Sequence, residues 1–291
     1  MSCGKLRKPN AWQISKPMNE DSLPSAINRI EQPYQVALIL LSHVLQKPKT
    51  WVLAHPETHL TSDQKAHLER LVRRLQAGEP LPYLTGKQSF FGLDFAVSPA
   101  VLIPRPETEL LVEEALSWLN AHPEAKSVLD VGTGSGCIAV TLATRKPWLT
   151  IAATDLSPEA LEIAKQNAET LQVKDQIAFE QANLLPSGDQ TFSLVCANLP
   201  YIPTKKLEEV NTLAFEPTLA LDGGADGLSL IRRLFEQLPP RLSSPGLVLL
   251  ETEATLGAET LTLAKKAFPQ EDVSLLQDLA GLDRLVRLEV L

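Results

Sequence analysis

Two kinds of apolar spacing divide this chain. Between Ser25 and Ala77, apolar residues recur at helical intervals. Val36, Ala37, Leu40, Leu41, Val44 and Leu45 make one face, ended by Lys47-Pro48, and Leu68, Leu71, Val72 and Leu75 make another. Thr61 and Gln64 have the spacing of a capping box, and Gly78 supplies a stop. The pattern predicts a small helical bundle over residues 24–87. Residues 1–23 mix Pro, Lys, Asn and Ser without a period and read as a disordered tail. The run Phe90-Phe91-Gly92-Leu93-Asp94-Phe95 reads as a short hairpin, a linker over 88–100.

From Ser127 the spacing changes to short apolar runs alternating with amphipathic ones. Strands are predicted at 128–131, 150–153, 192–197 and 247–250, with a further strand carrying Phe179 and ending near Gln181. Helices are predicted near 136–144, 158–171, 227–237 and 255–268. Such alternation specifies an α/β domain, here over 101–291, with a parallel sheet covered on both faces. Ahead of it, Leu102-Ile103-Pro104-Arg105-Pro106-Glu107-Thr108-Glu109 leads into a helix through Leu119. Pro106 is expected in its first turn, with Glu107 and Glu109 at the positive end of the helix dipole. Val273–Leu276 and Leu285–Leu288 read as a terminal hairpin.

Composition narrows the classes. A net charge of -8 argues against gripping long stretches of nucleic acid, because such binding neutralises phosphates with Lys and Arg. Cys3, Cys137 and Cys196 are too few and too scattered for a disulfide framework or a zinc site; Cys137 and Cys196, in apolar surroundings, fit buried small residues, and a reducing compartment follows. His43, His55, His59 and His67 have no carboxylate or cysteine cluster at ligand spacing, so no metal is expected. The apolar run Val36–Leu41 is too short to cross a bilayer, and no apolar segment follows Lys5, Arg7 and Lys8 to make a signal peptide. The expectation is a cytoplasmic protein, monomeric and without a membrane partner.

The candidate chemistry lies at two strand ends. Asn198-Leu199-Pro200-Tyr201 follows the strand Phe192–Ala197. The Asn198 side-chain oxygen and the Leu199 carbonyl can both accept from a planar NH2 group, with the Tyr201 ring on its face. Taken alone, these residues equally fit an ordinary strand-ending turn. Gly132-Thr133-Gly134-Ser135-Gly136 follows the strand ending at Val131, and its glycines let backbone approach a ligand closely. The spacing is Gly-x-Gly-x-Gly rather than the dinucleotide pattern. Asp155 closes the next strand, about 20 residues on, where a carboxylate can accept from both hydroxyls of a ribose. Asn183 and Leu184 could meet an adenine edge and face, although a surface turn fits them nearly as well. Together the two ends point to methylation of a planar nitrogen by S-adenosylmethionine, with Asn198 shared between cofactor and substrate. A carboxamide nitrogen is a weak nucleophile, and two acceptors on its N–H bonds orient it and draw off developing charge.

These motifs together resemble the HemK/PrmC family of protein-(glutamine-N5) methyltransferases, from about Ser25 to the end. The resemblance is carried by Leu129–Ala139, by Leu102–Glu109, by Phe215-Glu216-Pro217 with Leu221–Leu228, and by Asp278–Arg284. It implies a Rossmann-like class I S-adenosylmethionine-dependent fold behind a helical domain that docks the substrate. It implies cofactor contacts from Gly132–Gly136, Asp155, Asn183 and Leu184. Asn198, Leu199, Pro200 and Tyr201 would hold the glutamine of the Gly-Gly-Gln motif of class I peptide chain release factors. Two departures stand out. Leu199 replaces the first proline of the family's Asn-Pro-Pro-Tyr, where the lost ring costs about 0.4–1 kcal/mol of loop rigidity. Leu250–Gly257 lacks the family's glycine soon after Glu251.

Competing readings remain at this level: methylation of a ribosomal-protein glutamine, of an exocyclic amino group on a nucleic-acid base, or a cofactor-binding scaffold without catalysis. The acidic balance weighs against the second.

Overall fold

A computed structural model describes residues 23–30, 32–209 and 214–291, so the tail expected over 1–23 lies outside the described residues apart from Leu23. The chain divides into two compact units, Met1–Thr85 and Gly86–Leu291.

The first unit holds α1 (Leu23–Arg29), α2 (Tyr34–Leu45), α3 (Lys49–Ala54), α4 (Ser62–Gln76) and α5 (Leu81–Thr85). Pro33 and Pro48 stand at the N-caps of α2 and α3, where the missing N–H is not needed. The Gln64 N–H donates to Thr61 Oγ1 at 3.2 Å and the Thr61 N–H to Gln64 Oε1 at 2.9 Å, a reciprocal pair that starts α4. The apolar faces meet in one core through Leu40, Leu41, Val52, Leu71 and Leu84.

The second unit opens with β1 (Lys87–Phe90) and β2 (Leu93–Ala96), paired antiparallel. Phe91 and Gly92 join them with φ of 50° and 76°, the two positive values a type I′ turn needs. Phe90 and Phe95 are buried in the same core as Leu111 and Leu119. Helix α6 (Thr108–Ala121) begins beyond Pro106, not around it as the sequence predicted. The carbonyls of Arg105 and Pro106 accept from the Thr108 and Glu109 N–H groups at 3.1 and 3.0 Å, so a tight turn precedes the regular helix.

The main sheet comprises β3 (Ser127–Val131), β4 (Thr150–Asp155), β5 (Ile177–Gln181), β6 (Phe192–Ala197), β7 (Leu242–Glu251), β8 (Asp272–Gln277) and β9 (Asp283–Val290). Among the described residues its order is β5-β4-β3-β6-β7-β9-β8. It is mixed rather than wholly parallel, because β9 runs antiparallel to both β7 and β8 and carries the terminal hairpin onto the sheet edge. The helices of this unit after α6 are α7 (Cys137–Arg145), α8 (Pro158–Thr170), α9 (Thr204–Glu209), α10 (Ser229–Gln237) and α11 (Gly257–Ala267).

Alternate strand residues feed opposite cores: Val128, Leu194 and Cys196 enter one, and Leu129, Val195 and Ala197 the other. The chain winds outward from β3 through β4 to β5, then returns to place β6 on the other side of β3. That reversal opens a crevice outside the carboxyl ends of β3 and β6.

Candidate active site

The crevice is a cleft of about 760 Å3, lined among others by Gly132, Gly134, Asp155, Leu184, Asn198 and Pro200. Its size suits a small-molecule site. Gly132, Gly134 and Gly136 have φ of 71°, 54° and 80°, a left-handed run that residues with a Cβ rarely adopt. Beneath the turn, buried Asp130 accepts from the Thr133 hydroxyl at 2.7 Å and the Ala139 N–H at 3.1 Å through one oxygen. Among the described residues its other oxygen has no hydrogen-bond partner, and burial pushes its pKa up to about 6.

Asp155, at the end of β4, accepts from the Gly134 N–H at 2.8 Å through Oδ2 and from the Ser157 N–H at 2.9 Å through Oδ1. Each oxygen keeps further acceptor capacity toward the cleft. Burial is the main influence raising its pKa. Asn183 and Leu184 line the same cleft. Leu184 has φ 81°, a conformation that costs a leucine strain, and its carbonyl accepts from the Thr154 hydroxyl at 2.6 Å. Leu156, 46% exposed, also borders the cleft, although the sequence reading passed over it.

At the end of β6, Asn198 donates its Nδ2 to Thr108 Oγ1 at 3.0 Å, and the Thr108 hydroxyl donates to Glu251 Oε2 at 2.6 Å. Glu251 closes β7, one step beyond Leu250, which registers with Ala197 across the sheet. Burial pushes its carboxyl up to about 7, opposed by the hydrogen bond from Thr108. Neither Thr108 nor Glu251 was picked out as a site residue from the sequence. Their signal lay only in Thr108 sitting within Leu102–Glu109 and Glu251 within Leu250–Gly257.

The turn Asn198–Tyr201 is clamped from behind. The Ile202 N–H donates to the Leu221 carbonyl at 3.0 Å, and the Gly223 N–H to the Ile202 carbonyl at 2.9 Å. A Cβ on Gly227 would lie 2.3 Å from the Tyr201 carbonyl oxygen, and one on Gly223 would lie 2.8 Å from that of Pro200. Gly223 and Gly227 are therefore glycine because backbone passes against backbone there, while a Cβ on Gly224 would meet the Ser229 side chain. Arg105 pairs with buried Glu216 at 2.6 Å, tying the Leu102–Glu109 segment to the Phe215-Glu216-Pro217 block. Asn198, Leu199 and Pro200 line the cleft, whereas Tyr201 lies outside its wall. Burial pushes the Tyr201 phenol up to about 12.

Comparison with known proteins bears on this arrangement. The model described as PrmC N-terminal domain matches residues 25–86, and that described as Methyltransferase small domain matches residues 107–219. A release factor glutamine methyltransferase of Geobacter sulfurreducens is 37% identical over 286 residues, covering 96% of this chain and 97% of its own length. Another, of Escherichia coli, is 39% identical over 228 residues, covering 78% of this chain and 82% of its own. The chain belongs to the release factor glutamine methyltransferase family. It is thus a methyltransferase, and its sheet has the class I methyltransferase architecture. Among solved structures, the hMettl16 catalytic domain is similar in fold, with a TM-score of 0.53 at 16% identity over 79% of this chain and 83% of that one. The T. Thermophilus 16S rRNA methyltransferase RsmC gives 0.52 at 14% identity over 70% of this chain and 50% of that one. Among the described residues no helix is long and apolar enough to cross a membrane.

Proposed function

We propose that this enzyme transfers the methyl group of S-adenosylmethionine to the side-chain amide nitrogen of the glutamine in the Gly-Gly-Gln motif of class I peptide chain release factors. The observation that carries this reading is the state of Asn198. Its NH2 donates to Thr108 and also bonds Glu251, which leaves its carbonyl oxygen as the acceptor suited to an amide N–H. The Leu199 carbonyl is the second acceptor. Together they orient the nitrogen for in-line attack, and the proton it loses leaves to solvent. The expected packing of Tyr201 on the amide requires its ring to turn toward the cleft.

The cleft suits the cofactor, which supplies an electrophilic methyl on a sulfonium. The glycine turn with Thr133 and Ser135 accommodates its close approach, Asp155 has acceptor capacity left for ribose hydroxyls, and Asn183 and Leu184 flank the base. The helical unit over 24–87 is assigned to docking the release factor, and the working form is taken as a cytoplasmic monomer.

The test is transfer of radiolabelled methyl from S-adenosylmethionine to a purified class I release factor, beside one whose Gly-Gly-Gln glutamine is alanine. Label on the intact factor alone is expected. Equal labelling of both, or of neither, overturns the reading.

A further inference from the structure

We propose that buried Thr108 and Glu251 are positioning residues that fix which end of the Asn198 carboxamide faces the substrate. The inference rests on the functional reading above. The three residues come from separate elements: Thr108 opens α6, Asn198 follows β6 and Glu251 ends β7. Thr108 and Glu251 are 2% and 3% exposed, so water does not settle the direction of their hydrogen bonds.

Proton counting does. An ionised carboxylate only accepts, so the single Thr108 proton must point to Glu251. The Thr108 oxygen is then only an acceptor toward Asn198, which must offer Nδ2 and turn its carbonyl oxygen away. That is the orientation an incoming NH2 requires. If Glu251 carries a proton and donates it to Thr108, the Thr108 proton is freed for the Asn198 oxygen. The amide then flips and presents its own NH2 to the substrate's NH2. Around Glu251 the other charged or titratable groups are Glu107 and Arg284, with Tyr201 and Cys137 also feeling its charge. Burial and Glu107 hold its pKa up to about 7, opposed by the hydrogen bond from Thr108, by Arg284 and by a hydrogen bond from Asn198 itself, which demands the same amide orientation.

The experiment measures kcat/KM against pH for the wild type, Glu251→Gln, Thr108→Val and Thr108→Ser with a release factor, and cofactor affinity by calorimetry. The wild type should lose activity about tenfold per pH unit below about pH 7. Glu251→Gln should lack that acid limb and turn over at least about tenfold more slowly at pH 8, with cofactor affinity within about threefold. Thr108→Val should fall about as far, and Thr108→Ser, which keeps the hydroxyl, should recover most of the loss. An unchanged acid limb in Glu251→Gln, or a fully active Thr108→Val, overturns the proposal. If Glu251→Gln does not fold, the serine and valine pair decides. If the wild type labels no release factor, the functional reading fails instead. The Asn198 side-chain NMR signal then decides the polarity, through a titration near pH 7 that Thr108→Val must abolish.

Discussion

The Gly134 N–H donates to Asp155 Oδ2 at 2.8 Å, so the acid assigned to the ribose also braces the glycine turn. Removing it acts twice, on the ligand and on the shape of the loop. Asp155→Ala is expected to weaken S-adenosylmethionine binding at least about tenfold and to lower unfolding free energy by about 1–3 kcal/mol. Asp155→Asn should fare between the two, because one backbone N–H would then face an NH2 group. Calorimetry and urea unfolding check both. Unchanged affinity in Asp155→Ala would move the ribose elsewhere.

Gly227 tests the clamp behind the substrate turn. Its φ is 80° and a Cβ there would stand 2.3 Å from the Tyr201 carbonyl oxygen, which must move. Gly227→Ala is expected to cost more than about tenfold in kcat by shifting Asn198. Gly188 is the control, since its φ is 82° but a Cβ there meets nothing within 4 Å among the described residues. Gly188→Ala should show only local strain of about 1–2 kcal/mol, with kcat kept. Equal loss in the two variants would mean that strain, not the clamp, is what matters.

What the sequence conveyed and what it hid follow from distance along the chain. The glycine turn, Asp155 and Asn198–Tyr201 are local signals, each a few residues at a strand end, and all but Gly136 and Tyr201 line one cleft. The Thr108–Glu251 bond joins residues 143 apart, and neither residue type announces such a partner. The left-handed Leu184 was equally hidden, because a leucine carries no turn preference and only tertiary contacts hold it there. Periodicity placed β3 and β6 well, yet missed that β7 begins at Leu242, where Ser243, Ser244 and Pro245 interrupt the apolar pattern.

Leu199 is 4% exposed and packs against the turn, its Cδ2 lying 3.0 Å from where a Gly132 Cβ would be. The leucine therefore fills space as well as standing in for a ring. Leu199→Pro is expected to keep kcat within about threefold, because the carbonyl is retained and Pro200 still restricts the residue before it. Stability should fall by about 1–2 kcal/mol, since buried leucine atoms are lost and the gain in rigidity, about 0.4–1 kcal/mol, does not offset them. Thermal unfolding and the methyl-transfer assay separate the two effects. A large rise in kcat would mean that Leu199 restrains catalysis.

Asp130 makes stability depend on pH. Burial raises its pKa from 3.8 to about 6, so the folded state holds the proton more tightly than the unfolded one. Its contribution is fully favourable below about pH 4 and is lost as pH rises through about 6, a change on the order of 2–3 kcal/mol. Asp130→Asn cannot ionise, and its side-chain oxygen can still accept from Thr133 and Ala139. Relative to wild type, the variant should therefore gain stability steadily between pH 4 and pH 7, whatever its standing at pH 4. Glu251 contributes the same slope to both proteins, so the difference isolates Asp130. Urea unfolding at each pH measures it, and parallel curves for the two proteins would show that Asp130 ionises in the folded state at no extra cost.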